Sequence, residues 1–459
     1  MSRLTAVILC LGVVTFLAWA FTRSAPPFPS APPAVEHATT PVATPAEHAL
    51  LAHFATPAFA SGPRSREITT ALRMLQLSPK SSDAWLRLAE AVAERSRVTL
   101  DPDLYEPVEQ TYLQAYKLDA TNTAALVGLA WAAAAAHRFD DSVAWATLAL
   151  RDDPEQPEAH GLLGDAAVEL GRYTEAESHY EKMQNLRPGV AAFSRSAHLL
   201  YLQGEVAPAI DLLNLALDSA GGAPGPSAWC VAELATIHCR ENASAAAMAL
   251  LEIWQKKIPD DLLLLNAVGH TRMTLGQDDL AIAAYERALA LRPQHTTLAA
   301  LHDIYVATNR ASEAAALVNR IEKLANRLRA QGVQGGEGAL ARFYADHRIR
   351  LSEAVSLAET EYTHHRGALA AATLAWAYHQ AGRTAAAANL LPVFLRDRAP
   401  EPGLLYYAAV IEEAAGDFAS ARRHYAAALS RQPRWHPLHS PLAQAALARL
   451  PLAPSPVAP

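Results

Sequence analysis

A helix–turn–helix unit recurring about every 34 residues constrains this chain more than any other feature. The clearest copy is Leu262 to His295, LLLLNAVGHTRMTLGQDDLAIAAYERALALRPQH. Leu265, Val268 and Met273 recur at amphipathic-helix spacing. Gly276 ends that helix by accepting the left-handed conformation of a helix C-terminus, and Asp278 is the expected N-cap of the next. The second helix carries Ala281, Tyr285, Ala288 and Leu291 on one face before Pro293 interrupts it. Small residues at Gly269 and Ala281 let the two axes approach closely, and Tyr285 fills the space beside them.

The pattern G-x6-G-x4-A-x3-Y-x2-A-x4-P, carried by Gly269, Gly276, Ala281, Tyr285, Ala288 and Pro293, resembles the tetratricopeptide repeat, a unit of about 34 residues. Pro157 to Gly189 keeps Gly164, Gly171, Tyr173, Ala176, Tyr180 and Pro188, and Pro402 to Trp435 keeps Ala409, Gly416, Phe418, Ala421, Tyr425, Ala428 and Pro433. Other units are degenerate: Asn309 stands in a glycine position, and Pro392 is expected to kink a second helix. One unit cannot bury its apolar face alone, so the expected fold is all-α, a right-handed α-solenoid of stacked units. The resemblance covers most of Arg66 to Trp435.

The rest of the chain is read around that array. Residues 1–23 contain the uncharged apolar run Leu4 to Phe21, near the minimum length for a membrane span. Ala18-Trp19-Ala20 equally fits a signal cleavage site, so a retained membrane anchor and a signal cleaved after Ala20 both stand. Either sends the array out of the cytoplasm, to the cell envelope if anchored or to a secreted or periplasmic state if cleaved. Residues 24–64 read as a disordered Pro/Ala-rich spacer, with a short helix possible at His48 to Phe54. An N-terminal array follows at 65–330, a Gly-rich break at 331–338, a C-terminal array with a capping helix from His436 at 339–450, and a Pro-rich tail at 451–459. Export segment, spacer and array together are similar to many bacterial envelope proteins of this class.

In the resemblance, the first helices line a concave groove that receives ligand peptides. Projecting its groove positions onto this sequence gives Glu90 and Glu94, then Trp131, Asp165, Glu169, His198, Tyr201, Asn266, His270, Trp376, His379 and Tyr406. Trp131 and Trp376 are the expected anchors, since large aromatics dominate interface energetics. The expected groove is acidic in its N-terminal half and lacks the basic set that holds C-terminal carboxylates, so a basic or neutral peptide is the expected ligand. A net charge of -7 argues against nucleic acid.

Catalytic signatures are missing. There is no H-E-x-x-H, no G-x-S-x-G and no cysteine–histidine nucleophile pattern, and the glycines of 331–338 lack the strand and lysine of a phosphate loop. No cofactor is expected. Cys230 and Cys239 lie nine residues apart on one expected helix, about 13 Å along its axis, too far for a disulfide. The histidine groupings His364-His365 and His436/His439, with His424, complete no recognisable metal set, so no metal is expected either. The expected function is a non-catalytic scaffold that binds a protein partner. The rivals are a metal-handling or enzymatic protein using the C-terminal histidines, and an assembly factor contacting lipid or cell-wall polymer.

Overall fold

The computed structural model describes residues 45–330, 336–396 and 401–451, and every described residue that is regular is helical. The apolar run at 4–21, most of the spacer and the tail lie outside these residues. Among the described residues, no helix is long and apolar enough to cross a membrane.

Two leading helices, α1 (Pro45–Phe54) and α2 (Ser65–Leu77), precede ten helix pairs among the described residues. These are α3 (Ser82–Thr99) with α4 (Tyr105–Leu118), α5 (Thr123–Ala135) with α6 (Phe139–Asp152), and α7 (Pro157–Glu169) with α8 (Tyr173–Leu186). Next come α9 (Val190–Leu202) with α10 (Val206–Ser219), α11 (Pro224–Arg240) with α12 (Ser244–Lys257), and α13 (Leu262–Thr274) with α14 (Asp278–Leu291). Then α15 (His295–Ala307) pairs with α16 (Ala311–Ala330), α17 (Glu337–Asp346) with α18 (Leu351–His364), and α19 (Ala368–Gln380) with a broken partner, α20 (Thr384–Ala388) and α21 (Leu391–Phe394). The series ends with α22 (Pro402–Ala414), α23 (Phe418–Arg431) and the terminal α24 (His439–Arg449). The break between α20 and α21 falls just before Pro392, whose missing N–H and ring forbid a continuous turn.

In α7/α8 and α13/α14, close approach rests on glycine facing tyrosine. A Cβ at Gly269 would sit 2.6 Å from Tyr285, and one at Gly164 would sit 2.3 Å from Tyr180. The turn at Gly276 has φ +74, as its sequence position predicts, whereas His137 and Asn309 adopt φ near +58 without glycine's freedom. Asp278 is not the N-cap of α14. Gln277 occupies that position without a side-chain bond, and Asp278 is the first helical residue, engaged elsewhere. Asp261 does cap α13, accepting from the amides of Leu263 and Leu264.

Two boundaries differ from the expectation. Part of the stretch read as spacer is folded: α1 and the 3-10 turn Pro57–Phe59 bury Phe54 and Phe59 against Ile68, Leu75 and Leu88. Across the Gly-rich break the core is shared, because Ile321 and Leu324 of α16 pack in one cluster with Leu340, Phe343 and Tyr344 of α17.

Units far apart in sequence also touch, forming a seam. Arg292 pairs with Asp101 at 2.7 Å, and Arg366 N–H donates to Glu169 O at 3.0 Å. His137 stacks on His365 at 4.9 Å. Beyond α23, Gln432 donates to Cys239 O at 2.7 Å and to Ser244 Oγ at 3.0 Å, while Arg434 grips Asp278 at 2.8 and 2.7 Å and Met273 O at 2.8 Å. Arg431 reaches Glu241 at 2.6 Å, and Arg240 bonds Glu401. The C-terminal units are therefore fastened onto the ends of α11 and α13, over part of the surface that an open solenoid leaves free.

Candidate binding groove

A concavity of about 770 Å³ lies at the N-terminal end of the array and is lined by α2, α3, α4, α5 and the start of α7. Its floor includes Ala71, Ala91 and Gly128, small because the helices behind them are packed tightly, and Met74 and Trp131 supply apolar wall. Trp131 is half-buried, with the Arg97 guanidinium 4.1 Å above its ring and Tyr105 edge-on at 6.4 Å.

The groove is not acidic. Glu67, Glu90, Glu94 and Glu158 line it, but so do Arg64, Arg66, Arg87, Arg97 and Arg187. Arg64 pairs with Glu67 at 3.0 Å and Arg97 with Glu94 at 3.3 Å, and Arg187 contacts Glu158. The expected charge came from the first helices of two units, Glu90 and Glu94 on α3 and Asp165 and Glu169 on α7. The compensating arginines are Arg64 and Arg66 at the start of α2, which precedes the repeat register, Arg87 and Arg97 on α3 itself, and Arg187 after α8.

A second chamber of about 420 Å³ lies between distant units and collects three expected groove residues, Glu169, His198 and Tyr201. Glu169 stays solvent-exposed, yet burial within the chamber raises its carboxyl above the usual range, and Asp165 and Glu361 add to that. His198 is exposed beside it. Tyr201 is only 2% exposed, under the Arg240 guanidinium at 5.7 Å and with its hydroxyl 3.4 Å from Glu241, so it is a seam residue rather than an open contact.

The remaining expected residues are mostly committed inside the protein. Asp165 accepts from Arg195 Nε and Nη2 at 2.8 and 2.9 Å and from the Tyr180 hydroxyl at 2.9 Å, so it offers no free carboxylate. Asn266 is held by Leu262 O, Gln294 and Thr297. Trp376 is 2% exposed, donates to Asp346 at 2.8 Å and stacks on Tyr407 at 4.4 Å. His379 stacks against Trp376 at 5.6 Å, and Tyr406, 5% exposed, stacks on His439 at 4.6 Å. The expectation that Trp376 and Tyr406 face an open groove is therefore corrected: the segment from Trp435 to His439 covers them. Of the two expected tryptophan anchors, only Trp131 lies in the open groove.

A third cavity of about 270 Å³ is lined by His270, Asp303, Asp346 and His436. Burial with the nearby Arg240 charge pushes His270 down to about 4. Burial pushes Asp346 up to about 6, against the nearby His436. Burial opposes the charge on His436, but Asp303 at 3.1 Å outweighs it and holds the imidazole above its ordinary value. Around Asp303, the sequence reading missed His302 and His347. The available signal was the pair of adjacent dyads His302-Asp303 and Asp346-His347, each on or directly after the first helix of neighbouring units. The expected grouping of His424 with His436 and His439 does not form as a set: His424 bonds Glu412 at 2.6 Å, while His436 and His439 stack at 4.1 Å. His364 is exposed and His365 buried.

The sequence profile described as tetratricopeptide repeat matches residues 127–191 and 162–224, and a second profile with the same description matches 264–295. No curated protein matches the chain. Among solved structures, it is similar to the human IFIT1 dimer with PPP-AAAA, at 15% identity over 76% of this chain and 72% of that one, TM-score 0.40. Yeast Tom70 is similar at 12% identity over 83% and 92%, TM-score 0.38. A tetratricopeptide repeat protein from Parabacteroides merdae is similar at 14% identity over 56% and 97%, TM-score 0.33. No activity follows from likenesses this distant.

Proposed function

The chain belongs to the tetratricopeptide repeat family, and on that premise we propose that it is a non-catalytic scaffold holding a peptide segment of a partner protein in its N-terminal groove. The supporting observation is the contrast between the two halves. The C-terminal aromatics are covered by the chain's own seam, while Trp131, Met74 and the small-residue floor line an open trough of about 770 Å³. A preformed trough avoids much of the ordering cost of binding. Its near balance of arginines and glutamates favours a neutral segment with one aromatic or aliphatic anchor, rather than a strongly basic one.

We also place the array outside the cytoplasm, tethered or released by the apolar run Leu4 to Phe21. The support for this is the sequence alone.

A photo-crosslinking residue at Thr70 or Arg87 tests the groove. The expected result is a discrete adduct with one native partner, lost when Trp131→Ala is added and the helical circular dichroism is unchanged. The same adduct from the exposed Leu280 on α14, or no effect of Trp131→Ala, refutes the assignment. Accessibility of the array to protease added outside intact cells or spheroplasts tests the location, and protection under both conditions refutes it.

A further inference from the structure

Nitrogen and oxygen atoms converge where α15 meets α17. His302 and Asp303 are successive residues of α15, and His347 directly follows α17. His302 Nδ1 lies 3.3 Å from Asp303 Oδ1, and His347 Nε2 lies 2.9 Å from the same oxygen. One ligating atom from each residue falls within 4.8 Å of the others. Metal–nitrogen and metal–oxygen bonds of about 2.0–2.2 Å in a tetrahedral site set ligand atoms roughly 3.3 Å apart, close to these spacings.

Direction matters as much as distance. His347 Nε2 is shielded from solvent and has no hydrogen-bond partner, although Asp303 Oδ1 is within reach. A nitrogen and an oxygen that approach without aligning as donor and acceptor leave a buried lone pair to be satisfied by something else. We propose that His302 Nδ1, Asp303 Oδ1 and His347 Nε2 bind one divalent first-row transition ion of the zinc class. Two imidazoles and one carboxylate, with no thiolate, suit zinc, nickel or ferrous iron better than calcium or magnesium.

His436 belongs outside that first set. Its Nδ1 accepts the amides of Leu438 and His439 at 3.2 and 3.3 Å, so the proton sits on Nε2, which faces Asp303 Oδ2 at 3.1 Å. It therefore orients the carboxylate and leaves Oδ1 for the ion, the usual arrangement behind a ligating carboxylate. The ion would tie α15 to α17 across the Gly-rich stretch and, through His436, to the segment that fastens the C-terminal units.

The test uses the full chain without a histidine tag, stripped with chelator and titrated with Zn²⁺. The expected result is one saturable site per chain, a melting temperature raised by about 2 °C or more, and a visible absorption band when Co²⁺ replaces Zn²⁺. His302→Gln and His347→Gln should each weaken Zn²⁺ binding by more than the roughly 10–100-fold that loss of an outer-shell partner costs. His364→Gln, at an exposed histidine elsewhere, should leave it unchanged. Absence of a stoichiometric site overturns the proposal, as does equal affinity in a folded His347→Gln variant. If neither variant folds, the Co²⁺ spectrum of the unaltered chain decides: a band supports the site and its absence overturns it.

Discussion

Gly128→Ala is the sharpest perturbation of the groove. A Cβ at Gly128 would lie 2.2 Å from Tyr112 Cε1 and 2.4 Å from Cδ1 and Cζ. Tyr112 is 4% exposed, so its ring must move by about 1 Å or more against packed neighbours. Overpacking of this kind costs about 1–3 kcal/mol, and replacing a mid-helix glycine with alanine returns about 0.8–1.0 kcal/mol. The net expectation is destabilisation on the order of 1 kcal/mol. Gly225→Ala is the control, because nothing lies within 4 Å of the Cβ it would add in α11. Urea unfolding followed by circular dichroism should separate the two variants by about 1–3 kcal/mol, the overpacking cost. Adding Tyr112→Leu to Gly128→Ala should restore much of the loss, whereas Tyr112→Phe should not, since the clashing atoms are ring carbons. The displaced ring moves at the floor beside Trp131, so partner affinity should fall with stability. If Gly128→Ala is as stable as Gly225→Ala, the close approach of α4 and α5 is wrong.

Other perturbations probe the seam and the buried histidines. Arg434→Met removes the bonds to Asp278 and Met273 O and should cost about 2 kcal/mol, given their partial exposure. Hydrogen exchange should show α22–α24 losing protection while α7 and α8 keep theirs; uniform loss contradicts a local fastening. His270 stays neutral in the folded state down to about 4, while the unfolded chain takes up its proton near 6.5. Stability should therefore fall as pH drops from about 6.5 towards 4, by roughly 1–3 kcal/mol from this residue. His270→Gln should flatten that part of the urea-midpoint profile, and an unchanged slope removes His270 as its source.

The repeat was legible because glycine, alanine, tyrosine and proline repeat for local reasons. Gly276 needs a left-handed backbone, Gly269 must clear Tyr285, and Pro392 breaks a helix wherever it falls. The site was less legible because it depends on how far the array winds before meeting itself. Groove positions projected from single units assume that nothing covers them, so Trp376 and Tyr406 read as anchors. They are covered by a segment about thirty to sixty residues further along, and Tyr201 and Glu169 meet residues more than 150 positions away. Trp131 survives as a groove residue because the N-terminal units precede most of those seam contacts. The arginines around it fall outside the projected groove positions: Arg64 and Arg66 precede the register, Arg87 and Arg97 share α3 with Glu90 and Glu94, and Arg187 follows α8.

The seam also changes how such a chain can be made. An array held only by neighbouring contacts can consolidate each unit as it leaves the ribosome. Here Asp101 waits for Arg292, and Cys239 waits for Gln432, partners 191 and 193 residues downstream. At about 5–20 residues per second, each early partner stands open for roughly 10–40 s. During that interval the ends of α11 and α13 expose polar groups and apolar surface that the finished protein hides. A chain that folds as it is made must keep that half-built face shielded over the same interval.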